Sequence, residues 1–124
     1  MSIVSNKPTI TRKEMEGVLD CLVNGELTSG DSVKSLENSI SAACKLRHSL
    51  AVNSPTSAYH LIYKALEIGN GDEVIIPSFF DLAALSALTL TGAQATIVDI
   101  EENSFIPSLD QIKEKMNKEF IFYI

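Results

Sequence analysis

Three hydroxyl side chains crowd one short stretch of the sequence. In "AVNSPTSAYHLIYKAL" (51–66), Ser54, Thr56 and Ser57 follow an apolar run and precede a segment with helical spacing. At a strand-to-helix junction such a cluster has the chemistry to hold an anion. Hydroxyls donate hydrogen bonds, first-turn amides have no intrahelical partner, and the helix dipole puts partial positive charge at that end. The same residues also serve simply to cap their own helix, and the local sequence leaves both readings open. Neither Gly-x-Gly-x-x-Gly nor a Walker loop accompanies them, so the usual nucleotide signatures give no support.

The other reactive side chains are scattered. His48 and His60 stand apart from acidic or cysteine partners at ligand spacing, which points to structural or surface roles and to no metal site. Cys21 and Cys44 form no Cys-x-x-Cys pair and read as buried reduced thiols. Asp99 closes an apolar run, with Glu101 and Glu102 just beyond; acid/base work and plain turn formation both suit them. Lys64, Lys113, Lys115 and Lys118 fall on helical surfaces or at a helix end and read as solvated.

These residues must be positioned by elements that the hydrophobic pattern reveals. Thr11 and Glu14 form a capping box, followed by Met15, Val18, Leu19 and Leu22 at helical spacing until Gly25. Val33, Leu36, Ile40 and Ala43 mark a second helix ending near Arg47, and "HSLAV" (48–52) reads as a short strand. Ser54 caps a third helix with Pro55 at its first position and Ala58, Leu61, Ile62, Ala65 and Leu66 along one face. A buried strand over 73–76 ends at Pro77, a helix carrying Leu82, Leu85 and Leu88 closes at Gly92, and "AQATIVDI" is a further strand. Ser108 caps a helix with Leu109, Ile112 and Met116 inward, and "EFIFYI" is a final apolar strand. Strands alternating with helices imply right-handed crossovers, and hence an α/β, three-layer αβα fold with a mainly parallel sheet.

Composition bounds what this fold can do. A chain of 124 residues that is 45% hydrophobic suits one globular domain, and its formal charge of -6 argues against nucleic acid or an anionic membrane as partner. The N-terminal "MSIVSNKPTITRKEMEG" has no apolar core of signal-peptide type, and no run approaches the ~20 residues of a membrane span, so the expected location is cytoplasmic.

Several motifs recur in one order: "GELTSG" at 25–30, the Ser54-Pro55-Thr56 turn, "GNGDEV" at 69–74, "PSFF" at 77–80 and "GAQATIVD" at 92–99. Together they resemble the N-terminal part of the DegT/DnrJ/StrS family of sugar aminotransferases over about Asn24 to Asp110. The resemblance implies the large domain of a fold type I enzyme that uses pyridoxal 5'-phosphate to move an amino group, usually from glutamate, onto a keto sugar linked to a nucleotide. The implied setting is biosynthesis of cell-surface polysaccharide or of secondary-metabolite sugars. The family's phosphate-holding turn maps onto Ser54, Pro55 and Thr56, with Ser57 beside them. Thr28 and Gly30 match an early turn near the family's active site, and Ser86 stands where the family often has Asn. The aromatic that stacks on the pyridine ring maps onto Asp81, with Phe80 one residue earlier; a carboxylate has no π-face to offer.

The family's Schiff-base lysine and the aspartate facing the pyridine nitrogen lie C-terminal to these motifs, beyond Ile124. The resemblance therefore implies a single incomplete domain, with N-terminal helices over 1–47 and βα units over 48–124, that belongs to an intact homodimer and is inactive alone. It also implies missing middle strands, leaving the segments at Leu50, Val74 to Ile76 and Ile97 to Val98 with unpaired apolar edges unless they re-pair. The alternative function is a non-enzymatic remnant or phosphate-binding module of the same fold.

Overall fold

A computed structural model describes residues 6–116 and 120–123. The chain divides into two compact units, Met1–Ala51 and Val52–Ile124.

The first unit holds α1 (Arg12–Asn24) and α2 (Asp31–Cys44). The Thr11 N–H donates to Glu14 Oε2 at 2.8 Å and the Thr11 hydroxyl meets the same carboxylate, which closes the capping box. Gly25 stops α1 in the left-handed region at φ 73°, a conformation that its missing Cβ makes cheap. Lys45, at φ 54°, ends α2 earlier than the apolar spacing had implied. Met15, Val18, Leu19, Leu22, Leu36 and Ile40 are all exposed. Cys44 is exposed and Cys21 half-buried, so neither is the buried thiol expected from its place in an apolar pattern.

The "HSLAV" strand does not form. Residues 48–52 belong to no strand, and the polar groups of Ser49 and Ala51 turn to α2 rather than to a ladder. Ser49 Oγ accepts from the Ser41 hydroxyl at 3.0 Å and donates to the Glu37 carbonyl, while the Ala51 N–H donates to Glu37 Oε1 at 2.9 Å. Leu50 is left exposed.

The second unit is built on a three-stranded parallel sheet. It contains α3 (Pro55–Ala65), β1 (Glu73–Pro77), α4 (Leu82–Thr89), β2 (Gln94–Val98), α5 (Leu109–Lys115) and β3 (Phe120–Tyr123). The strand order is β2-β1-β3, with Val74 opposite Ala95 and Ile76 opposite Ile97. The last strand thus forms over 120–123, and Lys118, Glu119 and Ile124 lie outside the described residues.

Side-chain alternation along β1 assigns the layers. Val74 and Ile76 pack with Tyr63 and Ile68 and with Ala87 and Leu88 of α4, whereas Ile75 meets Val98 and Ile112 of α5 on the opposite face. Helices on both faces of a parallel sheet make the αβα sandwich and explain why the centre of β1, Val74–Ile76, is a continuous apolar run. Pairing β1 directly with β2 overturns the expected open edge at Val74 to Ile76, which are 0–3% exposed. Ile97, on the outer strand, stays half exposed.

Helix faces differ from the leucine pattern. Tyr63 of α3 is fully buried, while Leu61, Ile62 and Leu66 are exposed. The inward-facing pair is Tyr63 and the half-buried Tyr59, four residues apart, with rings stacked at 6.3 Å. A tyrosine can take that place because the Tyr63 hydroxyl finds an acceptor, donating to the Ala84 carbonyl at 3.2 Å. In α4 the small residues Ala84 and Ala87 are buried with Leu88, and Leu82 is exposed, because small side chains let the helix approach the sheet and α3 closely. In α5 only Ile112 faces inward; Leu109 and Met116 are exposed, since a two-turn helix touching a narrow sheet presents one position to it.

Candidate functional site

The candidate cofactor-binding residues Ser54, Thr56, Ser57, Phe80 and Asp81 sit at the start of α3 and in the loop after β1, all within the second unit, whereas Thr28, Gly30 and His48 fall in the first. Ser54 is extended (φ -160°, ψ 156°) and caps α3, its Oγ accepting the Ser57 N–H at 3.1 Å, with Pro55 at the first helical position. The Ala58 N–H donates to the Ser54 carbonyl at 3.1 Å. Ser57 also donates its hydroxyl to Asn53 Oδ1 at 2.8 Å and lies 2.9 Å from Ser54 Oγ.

That network changes which groups face an incoming anion. Both the N–H and the hydroxyl of Ser57 are engaged inside the turn, and Pro55 has no N–H. The Thr56 N–H and hydroxyl are left without a hydrogen-bond partner among the described residues. Asn53 was not singled out from sequence; its position four residues before Ser57, at a helix entrance, is the signal that identifies it.

The β1–α4 loop, 78–81, approaches α3 through its aromatics. Phe80 meets Tyr59 edge-on, with ring centroids 6.3 Å apart and planes at 62°, and Tyr59 lies one turn beyond Thr56. Phe79 turns the other way and packs on Phe105 at 4.9 Å. Asp81 is the N-cap of α4, its Oδ1 accepting the Ala83 N–H at 2.9 Å, so its carboxylate is directed to its own helix. A cleft of about 240 Å³ opens between sheet and α4, walled by Ile76, Pro77, Phe80, Asp81, Leu85 and Ile97. Phe80 and Asp81 share this cleft; Ser54, Thr56 and Ser57 do not line it, and the Tyr59 contact is what joins the two groups.

Asp99 has a defined structural setting. The Ser78 hydroxyl donates to its Oδ1 at 2.8 Å, and the Ile100 N–H donates to the same oxygen at 2.8 Å. These two bonds, the Ser78 one foremost, hold its carboxyl below the usual range. Glu101 and Glu102 are exposed in the following turn. His60 Nε2 is buried without a partner, while His48 is exposed. Among the described residues no three His, Cys, Asp or Glu gather as a metal site. Lys64, Lys113 and Lys115 are exposed on their helices.

The model of the DegT/DnrJ/EryC1/StrS aminotransferase family matches residues 8–121. Among solved structures, Spr1654 from Streptococcus pneumoniae, provisionally a sugar aminotransferase and seen in its PLP form, is 32% identical over 99% of this chain with a TM-score of 0.92. NtdA from Bacillus subtilis, with bound PMP, is 29% identical over 98% of the chain at a TM-score of 0.81. DesV from S. venezuelae is 26% identical over 90% of the chain, also at 0.81. The chain spans 30–31% of the length of these three structures.

Proposed function

Because this chain belongs to the DegT/DnrJ/EryC1/StrS aminotransferase family, we propose that it supplies the phosphate-holding and ring-facing parts of a pyridoxal 5'-phosphate site in a sugar aminotransferase. The reaction in this reading moves an amino group from glutamate to a nucleotide-linked keto sugar, for cell-surface polysaccharide or secondary-metabolite sugars. Thr56 carries the proposal: its N–H and hydroxyl are open at the N-terminus of an eleven-residue helix, where an anion is favoured. Those donors suit a phosphate, and the Phe80 ring beside Tyr59 suits a planar heterocycle, so the residues present fit the cofactor.

When bound, the cofactor supplies an electron sink for the carbon that exchanges nitrogen. Thr56 binds the phosphate, Ser54 and Ser57 hold the turn in shape, and Phe80 offers an aromatic face. Asp81 caps α4 beside that face. A cytoplasmic homodimer accords with this reading; no helix among the described residues is long and apolar enough to cross a membrane.

Asp81 favours a second reading, a phosphate-binding module without catalysis. A carboxylate stands at the ring-facing position, and the unit's described lysines lie elsewhere. Lys64 is eight residues along α3 from Thr56, about 12 Å by helical rise. Lys113 and Lys115 are on α5, across the sheet from α3 and α4. Under both readings the site residues bind and orient, and none of the second unit's described lysines stands beside them as a covalent anchor.

The test uses pyridoxine 5'-phosphate, which lacks the aldehyde and so cannot react with surface lysines. Calorimetric titration of the chain is expected to show binding that Thr56→Val weakens by about ten- to a hundredfold, the range for a hydrogen bond to a charged group. Equal affinity in the two proteins removes Thr56 from the site. With pyridoxal 5'-phosphate, glutamate and a nucleotide-linked keto sugar, the chain alone is expected to form no amino sugar. Formation of that product overturns the assignment of the lysines.

A further inference from the structure

Asp99 ties together three pieces of chain that meet at the carboxyl end of the sheet. Its N–H donates to Gln111 Oε1 on α5 at 2.8 Å, and its carbonyl accepts the Ser108 N–H at 2.9 Å. Its main chain is therefore anchored to the start of α5. The carboxylate reaches sideways to Ser78, whose own N–H donates to the Val98 carbonyl at 2.7 Å. Ser78 is thus gripped at both backbone and side chain by the end of β2. The turn after Asp99 is itself ordered, with Ile100 bridging antiparallel to Pro107 and the Glu101 N–H donating to the Ile106 carbonyl at 2.9 Å. Phe105, carried by that turn, packs on Phe79, the neighbour of Ser78.

Plain turn formation accounts for the Ile100 N–H bond, which is local. It does not account for a bond to a side chain 21 residues earlier on another loop. The loop so held carries Phe80, whose ring meets Tyr59 one turn from Thr56, and Asp81, which starts α4.

Resting on the cofactor reading above, we propose that Asp99 is a positioning residue: through Ser78 it fixes the 78–81 loop, and so sets where Phe80 stands relative to the Thr56 donors. The carboxylate acts as an acceptor, and since both of its bonds fall on one oxygen, an amide oxygen can replace it.

Hydrogen exchange of the 124-residue chain and titration with pyridoxine 5'-phosphate test this together. Asp99→Ala is expected to speed exchange of the amides over 79–84 by about tenfold and to weaken the probe by about fivefold. Asp99→Asn is expected to stay within about twofold of wild type in both readings, since it keeps the acceptor. Ser78→Ala should reproduce Asp99→Ala, and the double variant should add nothing further, as required for two partners in one bond. Unchanged exchange over 79–84 in Asp99→Ala, an Asn variant as impaired as Ala, or additive losses overturns the proposal. Ser78→Ala decides the matter should Asp99→Ala fail to fold. A wild-type chain that ignores the probe, with the exchange changes still seen in the variants, overturns the cofactor reading while supporting the loop coupling.

Discussion

Replacing Tyr63 by phenylalanine removes one oxygen atom from the centre of the second unit. Tyr63 is 0% exposed, and its hydroxyl donates to the Ala84 carbonyl at 3.2 Å, bridging α3 and α4. Phenylalanine keeps the ring and its stacking on Tyr59, so the change isolates the hydrogen bond. Losing a neutral intramolecular hydrogen bond costs about 1 kcal/mol, or about 4–8 °C in Tm for a domain of this size.

The same substitution predicts a pH dependence whose sign follows from burial. Burial, with a smaller contribution from Tyr59, raises the Tyr63 phenol above its ordinary 10.0. In the unfolded chain the phenol ionises first, so its contribution is complete below that value and is lost as pH rises through the folded value. The Tyr63→Phe protein has no such loss, so the stability gap between the two proteins should narrow above about pH 10. Urea unfolding followed by far-UV circular dichroism, at neutral and alkaline pH, measures both effects. A variant as stable as wild type at neutral pH, or a gap that widens with alkalinity, refutes the reasoning.

Two further outcomes follow from the sheet and its turns. Ile75 fills the small cluster with Val98 and Ile112, so Ile75→Val should cost about 1 kcal/mol and Ile75→Ala about 2–5 kcal/mol in urea unfolding. Gly92 lies at φ 84°, and a Cβ there would overlap the Asn70 carboxamide. Gly92→Ala should therefore lose about 1–2 kcal/mol, and adding Asn70→Gly should restore only the part due to overlap, measured by thermal unfolding.

What could be read from sequence follows the range of the interactions concerned. Thr11 with Glu14, Ser54 with Ser57 and Gly25 at a helix end act within three or four residues, so their partners stand beside them in the chain. The ordered string of motifs identified the family before any side chain was placed. The burial of Tyr63, the Ser78–Asp99 bond and the Tyr59–Phe80 contact were not legible. Each joins residues 21 positions apart, on different elements or loops. The parallel register of β1 and β2 brings Ser78 to Asp99, and the packing of α3 against α4 brings the other two pairs together.

The amino-acid sequence by itself determined the αβα class, the helix caps and the hydroxyl cluster at the start of α3, because local hydrogen bonding and hydrophobic period specify these. Tertiary structure decided which donors of that cluster stay open, where Asp81 directs its carboxylate, and that Ser49 and Ala51 bond to α2 rather than joining the sheet. A strand exists only when another strand pairs with it, and a donor is open only when no neighbour has taken it. Both are properties of the folded arrangement.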